Sequence, residues 1–557
     1  MTYVDEYPET AAWVRRAFAV AFVALGLGGL FGLIQSLHRT NVLRVIPSED
    51  YYTVLTGHGV LLVLVFTTFF IAGLFAWAVS RSLDRELDSR IGMAWFSVML
   101  LGTVLAAVPI LSGLSDSIPM SADVLFTFYP PLQAHPSFYV GAALVIVGSW
   151  IAGANYFKAY FGWRKENPDK RIPLQTFMVL TTMLMWYLAT LGVAAEVVLF
   201  LIPWSLGLIS QVDPLLSRTL FWFFGHPVVY FWLLPAYLVW YTILPKLAGG
   251  RLFSDGLARV VFVLFLLLST PVGFHHQYVD PGIADGFKFV AMTNTMFLLL
   301  PSLLTAFTVV ASMEHGARQR GGGGRIAWLK SLPWGNPAFS GCALAGLMFA
   351  AGGFSGMINA GMNINYLIHN TLWVPGHFHL TVGTAFALTA MAVSYWLVPQ
   401  ITGKRLRWRG MASAQPFVWF GGMALMSNAM HRAGLAGVPR RTAEPEYSQV
   451  AYEGVVGGIG EMRLQIALGG FLLFVAMSMF LAVMFSTWLG HRGVGQLSVN
   501  GEIPPALSGP EHSPLVLDNL RLWFLIAAVL VVLAYGVPLA GIVGDGLLAP
   551  GSPPVPV

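Results

Sequence analysis

Apolar runs of about 20 residues or more, the length a helix needs to cross the hydrocarbon of a bilayer, recur along the whole of this 557-residue chain. About 13 can be counted, centred near residues 26, 66, 102, 147, 189, 230, 267, 300, 349, 385, 422, 475 and 531. With 56% of residues hydrophobic and only 10% charged, the chain belongs with polytopic membrane proteins rather than with proteins that bury a water-soluble core. The expected fold is an all-α integral membrane bundle of about 13 transmembrane helices, read as one membrane domain over residues 1–557. The opening MTYVDEYPET is acidic and polar, unlike the basic start of a removable signal peptide.

The net charge of +5 does not describe a nucleic-acid surface, because the basic residues lie in short loops between spans. They report topology instead. Placing the N-terminus in the cytoplasm puts most of the 31 Lys and Arg on the cytoplasmic side, including Lys158, Arg164, Lys165, Lys170, Arg171, Lys404, Arg405, Arg407 and Arg409. On this topology residues 490–515 form a cytoplasmic linker before the last helix, and the tail at 549–557 is expected to be extended or disordered. Gly321 to Gly324, among Arg318, Arg320 and Arg325, read as a flexible loop and not a phosphate cradle, since no strand precedes them and no Lys-Ser/Thr follows. Cys342 is the only cysteine, so metal chemistry has to rest on the 13 histidines.

Six of those histidines fall at one depth, in the outer part of the membrane. His377 and His379, in WVPGHFHL of the tenth span, point about 200° apart on a helix and can serve two centres, one on each flank. His58 opens the second span at matching depth, and Gly57 and Gly59 beside it would let a flat macrocycle approach. His226 in the sixth span and His275 and His276 at the end of the seventh make a nitrogen-only set, suited to copper with a position left open.

Hydroxyl groups lead away from this level. His226 and Tyr230 are four residues apart and share a face. Tyr230, Tyr237 and Tyr241 lie within about 40° of one another over about 16 Å of helix, a stripe running towards the cytoplasm. Ser302 and Thr305 share a face of the eighth span and can either bond to their own backbone or extend that stripe. Glu196 is a further carboxyl inside the membrane, a functional candidate without an assigned role. Arg440 and Arg441, and His369 and Asn365, lie at the outer surface, where guanidinium forks suit carboxylates.

The motifs GHPVVYFWLLPAY, STPVGFHHQ and HNTLWVPGHFHL, with spans that match throughout, resemble subunit I of the haem-copper oxidases. Within that family the chain looks like the B-type (cytochrome ba-type) branch, having GHPVVY without a Glu and Thr305 where the A-type branch keeps a lysine. The resemblance implies a terminal respiratory oxidase, in a bacterial or archaeal cell membrane, that reduces O2 to water and translocates protons. It implies a low-spin haem b held by His58 and His379, and a high-spin haem, taken as A-type, on His377. It also implies copper (CuB) on His226, His275 and His276, with Tyr230 covalently joined to His226. Tyr237, Tyr241, Ser302 and Thr305 would line the proton route, and Arg440, Arg441, His369 and Asn365 would lie near the haem propionates. An Asp is expected in relatives at position 365, where this chain has Asn. A dinuclear copper site needs paired cysteines, so it would sit on a partner subunit II that receives electrons from cytochrome c. A nitric-oxide reductase is the alternative enzyme, disfavoured by Tyr230; a polytopic transporter would explain the spans but not the histidines.

Overall fold

The structure, a computed structural model, describes residues 2–115, 120–443, 458–491, 493, 501–544 and 555–556. Its helical passages are α1 (Pro8–Arg39), α2 (Asp50–Leu83), α3 (Ser89–Ser112), α4 (Pro136–Glu166), α5 (Leu174–Ser205) and α6 (Pro214–Leu247). There follow α7 (Asp255–Leu268), α8 (Asp285–Gln319), α9 (Pro337–Ala360), α10 (Trp373–Thr402), α11 (Arg409–Leu435), α12 (Ile459–Trp488) and α13 (Leu520–Gly544). Eleven are long and apolar enough to cross a membrane. The other two are α7, which has only 14 residues, and α11, whose 27 residues include Gln415, Ser427, Asn428, His431 and Arg432.

Helix starts follow from local chemistry. Asp88, Asp213, Ser254, Asn336 and Asn519 accept from free backbone N–H groups at the first turns of α3, α6, α7, α9 and α13. Pro8, Pro136, Pro214 and Pro337 stand at first positions, where a missing N–H costs nothing.

Departures from helical regularity mark the positions of the polar residues. The α-helical pattern of α6 stops at Gly225 and resumes at Pro227, leaving His226 at the break. The apolar run centred near residue 267 is not one helix: α7 ends at Leu268, and His275 and His276 sit on a separate 3-10 turn, Gly273–His276. Wider π-turns occur at Val60–Phe66 just after His58, at Val197–Leu201 just after Glu196, at Thr381–Phe386 just after His379, and at Val532–Gly536. Such turns re-aim side chains and concentrate at functional positions.

The stretch before α13 is more than a tether. Ala506–Ser508 pairs in parallel with Leu252–Ser254, and Gln175 donates to the Gly501 carbonyl at 2.9 Å. Buried Arg259 joins Asp255 (2.6 Å) to Asp518 (2.8 Å), and Arg171 meets the same Asp518 at 2.8 Å. Of the tail at 549–557, residues 549–554 and 557 lie outside the described residues, while Val555 and Pro556 pair with Leu132 and Gln133.

Candidate metal and cofactor centre

A cavity of about 490 Å³ runs through the bundle, and His58, His226, His275, His276, His377 and His379 all line it. Tyr230, Ser302, Arg440 and Arg441 line the same cavity. Six imidazoles from α2, α6, α10 and the turn after α7 therefore converge, although they are spread over more than 300 residues of chain.

Two of them face each other. The rings of His58 and His379 are nearly parallel, 20° apart, with centroids separated by 6.3 Å. A metal–imidazole bond of about 2.0 Å on either side, with a ring radius of about 1.1 Å at each end, gives a spacing of about 6.2 Å for two axial ligands of one iron. The observed spacing fits. Each ring is also oriented from behind: His58 Nδ1 lies 2.8 Å from the Gly28 carbonyl and His379 Nδ1 lies 2.7 Å from that of Pro375. A carbonyl can only accept, so each Nδ1 carries the proton and each Nε2 is left free as a ligand atom.

His377 points to the other flank, as the two-residue spacing requires. Its Nδ1 donates to the Gly352 carbonyl at 3.0 Å and sits 3.1 Å from Ser355 Oγ. Ser355 gives its own proton to Gly352, at 2.9 Å, so it accepts from the ring.

His226, His275 and His276 each place a ring nitrogen within 4.8 Å of the others. His226 Nδ1 and His276 Nε2 are 3.1 Å apart, and a proton or a cation is needed between lone pairs at that distance. Thr295 Oγ1 donates to Ala291 at 2.6 Å and hence accepts from His275 Nδ1 at 2.9 Å, which frees His275 Nε2. Trp222 stacks on His276 with centroids 3.7 Å apart and planes at 7°. The donor set fits one copper-sized ion with three imidazoles. The Tyr230 ring lies 4.9 Å from that of His226, whose buried Nε2 has no hydrogen-bond partner among the described residues.

The hydroxyl stripe is paired across two helices. Tyr237 donates to Ser302 and Tyr241 to Thr305, each at 3.0 Å. Ser302 and Thr305 in turn bond to the Leu298 and Pro301 carbonyls, so backbone bonding and bridging coexist. Ser302 borders the cavity, whereas Tyr237, Tyr241 and Thr305 stand behind it.

At the outer rim, Arg440 holds the Asn370 side-chain oxygen through Nε (3.1 Å) and Nη2 (3.0 Å). Arg218 pairs with Asp280 at 2.8 Å. Burial and the adjacent Arg441 push the Arg440 guanidinium down. Burial, together with Arg440, Arg218 and Arg441, pushes His369 down to about 4 and keeps it neutral. This excess of cations beside the cavity suits a ligand that brings carboxylates. Asn365 and His369 do not border the cavity; they are joined to each other at 3.3 Å, and Asn365 donates to the carbonyl of cavity-lining Asn359 at 2.6 Å.

The room beside the histidines comes from glycines other than those expected. A Cβ on Gly57 would strike Phe31 and one on Gly59 would strike Phe126, so both mainly serve helix packing. Gly32 and Gly356 are the positions where a Cβ would strike His58 and His377, at 2.8 and 2.7 Å. Thr295 and Trp222 were not foreseen, although a Trp one turn before His226 was visible in FWFFGHP. Glu196 is buried away from the cavity lining and accepts from Ser217 at 2.5 Å.

The fold and the site define a multi-span membrane protein that arranges one facing pair of imidazoles, one single imidazole and one triad around a common cavity. The chain matches the family described as cytochrome C and quinol oxidase polypeptide I over residues 12–472, and it belongs to that family. It is 43% identical to cytochrome c oxidase subunit 1 of Thermus thermophilus over 98% of this chain and 97% of the relative. It is 26% identical to cytochrome c oxidase polypeptide 1 of Halobacterium salinarum over 76% and 70%. A heme-copper terminal oxidase dimer solved by cryo-electron microscopy superposes with a TM-score of 0.90 at 35% identity, over 98% of this chain and 95% of that one. The chain is a multi-pass terminal oxidase catalytic subunit, of a family that carries haem and copper.

Proposed function

We propose that this chain reduces dioxygen to water with electrons from cytochrome c, delivered through a dinuclear copper site on a partner subunit II, and couples the reaction to proton translocation across the bilayer. The observation that carries the reading is the convergence on one cavity of a facing imidazole pair at 6.3 Å, a single imidazole and an imidazole triad. His58 and His379 would hold a low-spin haem b, His377 a high-spin haem, and His226, His275 and His276 a copper. The A-type assignment of the second haem and the B-type branch rest on the sequence resemblance. When bound, these groups supply one-electron transfer and an open position for a diatomic ligand.

The protein's own residues orient and protonate. The Gly28, Pro375 and Gly352 carbonyls and Thr295 hold each imidazole in the tautomer that presents Nε2. Arg440 and Arg441, which line the cavity, would bind haem propionates at the rim, beside His369, which burial and these arginines keep neutral, and its partner Asn365. The Tyr230 ring stands 4.9 Å from that of His226, whose Nε2 has no hydrogen-bond partner among the described residues. The family resemblance implies a covalent bond between them, made with loss of two hydrogen atoms to dioxygen as oxidant, and the Tyr230 hydroxyl beside the triad would supply a proton and an electron. The paired hydroxyls Tyr241–Thr305 and Tyr237–Ser302 carry protons from the cytoplasmic side to the cavity, because an unsolvated ion in hydrocarbon is costly. The topology has the N-terminus in the cytoplasm, and residues 1–557 act as one catalytic domain. Oxygen uptake by the purified complex supplied with reduced cytochrome c tests the reading. Turnover sensitive to cyanide supports it; consumption of nitric oxide without oxygen uptake would replace it.

A further inference from the structure

The last span leaves Val532, Leu533 and Val537 each more than 60% exposed, yet Tyr535 between them is buried. The π-turn Val532–Gly536 turns this one side chain inwards. Its ring stacks on Phe223, with centroids 4.5 Å apart and planes at 8°, and lies 5.1 Å from Phe274. Its hydroxyl accepts the Gly273 N–H at 2.8 Å and reaches towards the Trp222 carbonyl at 3.5 Å.

Those two partners belong to the two segments that carry the imidazole triad. Gly273 opens the 3-10 turn bearing His275 and His276. Trp222 lies one turn before His226 in α6 and stacks on His276. The approach is so close that a Cβ on Gly273 would strike both the Trp222 carbonyl and the Tyr535 hydroxyl. Beyond Leu268 the chain has left its helix, and the histidines ride on one short 3-10 turn, tied at its ends by His275 N–H to Val272 at 3.3 Å and Gln277 N–H to Phe274 at 3.0 Å.

We propose that Tyr535 is a positioning residue for the triad, its hydroxyl bridging the Gly273 turn to α6 and thereby setting the spacing of His275 and His276 against His226. Packing alone does not call for the hydroxyl, since a phenylalanine would fill the same stack. It would leave the buried Gly273 N–H without its partner, which a closed interior penalises. The inference rests on reading the three imidazoles as copper ligands.

The test compares Tyr535→Phe with Leu539→Ala, which trims packing against the same cluster without touching the hydrogen bond. Copper and iron are counted in the purified complex, copper loss to a chelator is timed, and the infrared band of carbon monoxide on copper is recorded after photolysis. In Tyr535→Phe the bis-imidazole haem spectrum stays normal, copper leaves about tenfold faster, as loss of a supporting contact around a metal site predicts, and the infrared band shifts or broadens. Leu539→Ala retains the wild-type band. An unchanged rate and band in Tyr535→Phe, the same changes in both variants, or loss of the haem spectrum in Tyr535→Phe would overturn the proposal. A wild-type complex without copper would instead overturn the metal reading on which it rests.

Discussion

Gly356→Ala adds one methyl group to α9 and should disable one haem site while sparing the other. The new Cβ would stand 2.7 Å from His377 Cε1, against 3.4 Å for an ordinary contact, so the imidazole must move by about 0.7 Å. Replacing Gly by Ala inside a helix is worth up to about 1 kcal/mol, and overpacking costs about 1–3 kcal/mol, so the net effect on stability is small. The effect on geometry is not, because His377 is held at Nδ1 by Gly352 and cannot shift without losing that 3.0 Å bond. A displacement approaching 1 Å costs about a hundredfold in rate. The expected result is loss of carbon monoxide binding to haem and about a hundredfold lower oxygen turnover, with the bis-imidazole spectrum intact. Gly32→Ala, where the Cβ would stand 2.8 Å from His58 Cε1, should do the reverse and perturb the bis-imidazole spectrum first. Gly346→Ala, on the same helix with its nearest neighbour at 4.0 Å, should be silent. Normal carbon monoxide binding in Gly356→Ala, or equal damage to both haems, would refute the assignment of His377 and His58 to separate centres.

The remaining predictions concern the triad and the hydroxyl path. Tyr230→Phe should retain both haems in optical spectra and lose nearly all oxygen turnover; near-normal turnover would remove the tyrosine from the chemistry. Thr295→Val leaves the His275 N–H without its acceptor and should weaken copper retention by about tenfold or more, measured by metal analysis after dialysis. Tyr241→Phe removes the 3.0 Å bond to Thr305 and should slow turnover by about a hundredfold, the lower edge of what positioned proton-transfer groups contribute. Stopped-flow uptake of protons would show the same delay with unchanged haem spectra.

Much of this was legible because membrane burial makes polar residues conspicuous. His58, His226, His377 and His379 stand out of apolar runs, and their positions along the spans anticipated the common cavity. The tyrosine stripe was equally visible, since a period of 3.6 residues aligns Tyr237 and Tyr241 facing Ser302 and Thr305. What escaped was whatever depends on the backbone. The carbonyls of Gly28, Pro375 and Gly352 orient three imidazoles but have no side-chain signature. The break after Leu268 was signalled only by Ser269-Thr270-Pro271, and a proline inside an otherwise apolar span can kink a membrane helix as readily as end it, so the sequence alone did not separate the two. Tyr535 lies 262 residues from Gly273, a contact no local pattern announces.

The central claim is that one chain holds two haem irons and one copper around a single cavity, and counting them tests it most directly. Metal analysis of the purified complex, read with reduced-minus-oxidised and carbon monoxide difference spectra, should give two haem irons, one of them binding carbon monoxide, and one copper assigned to this subunit. Non-haem iron in place of that copper, or a carbon monoxide difference spectrum without a five-coordinate haem, would contradict the account.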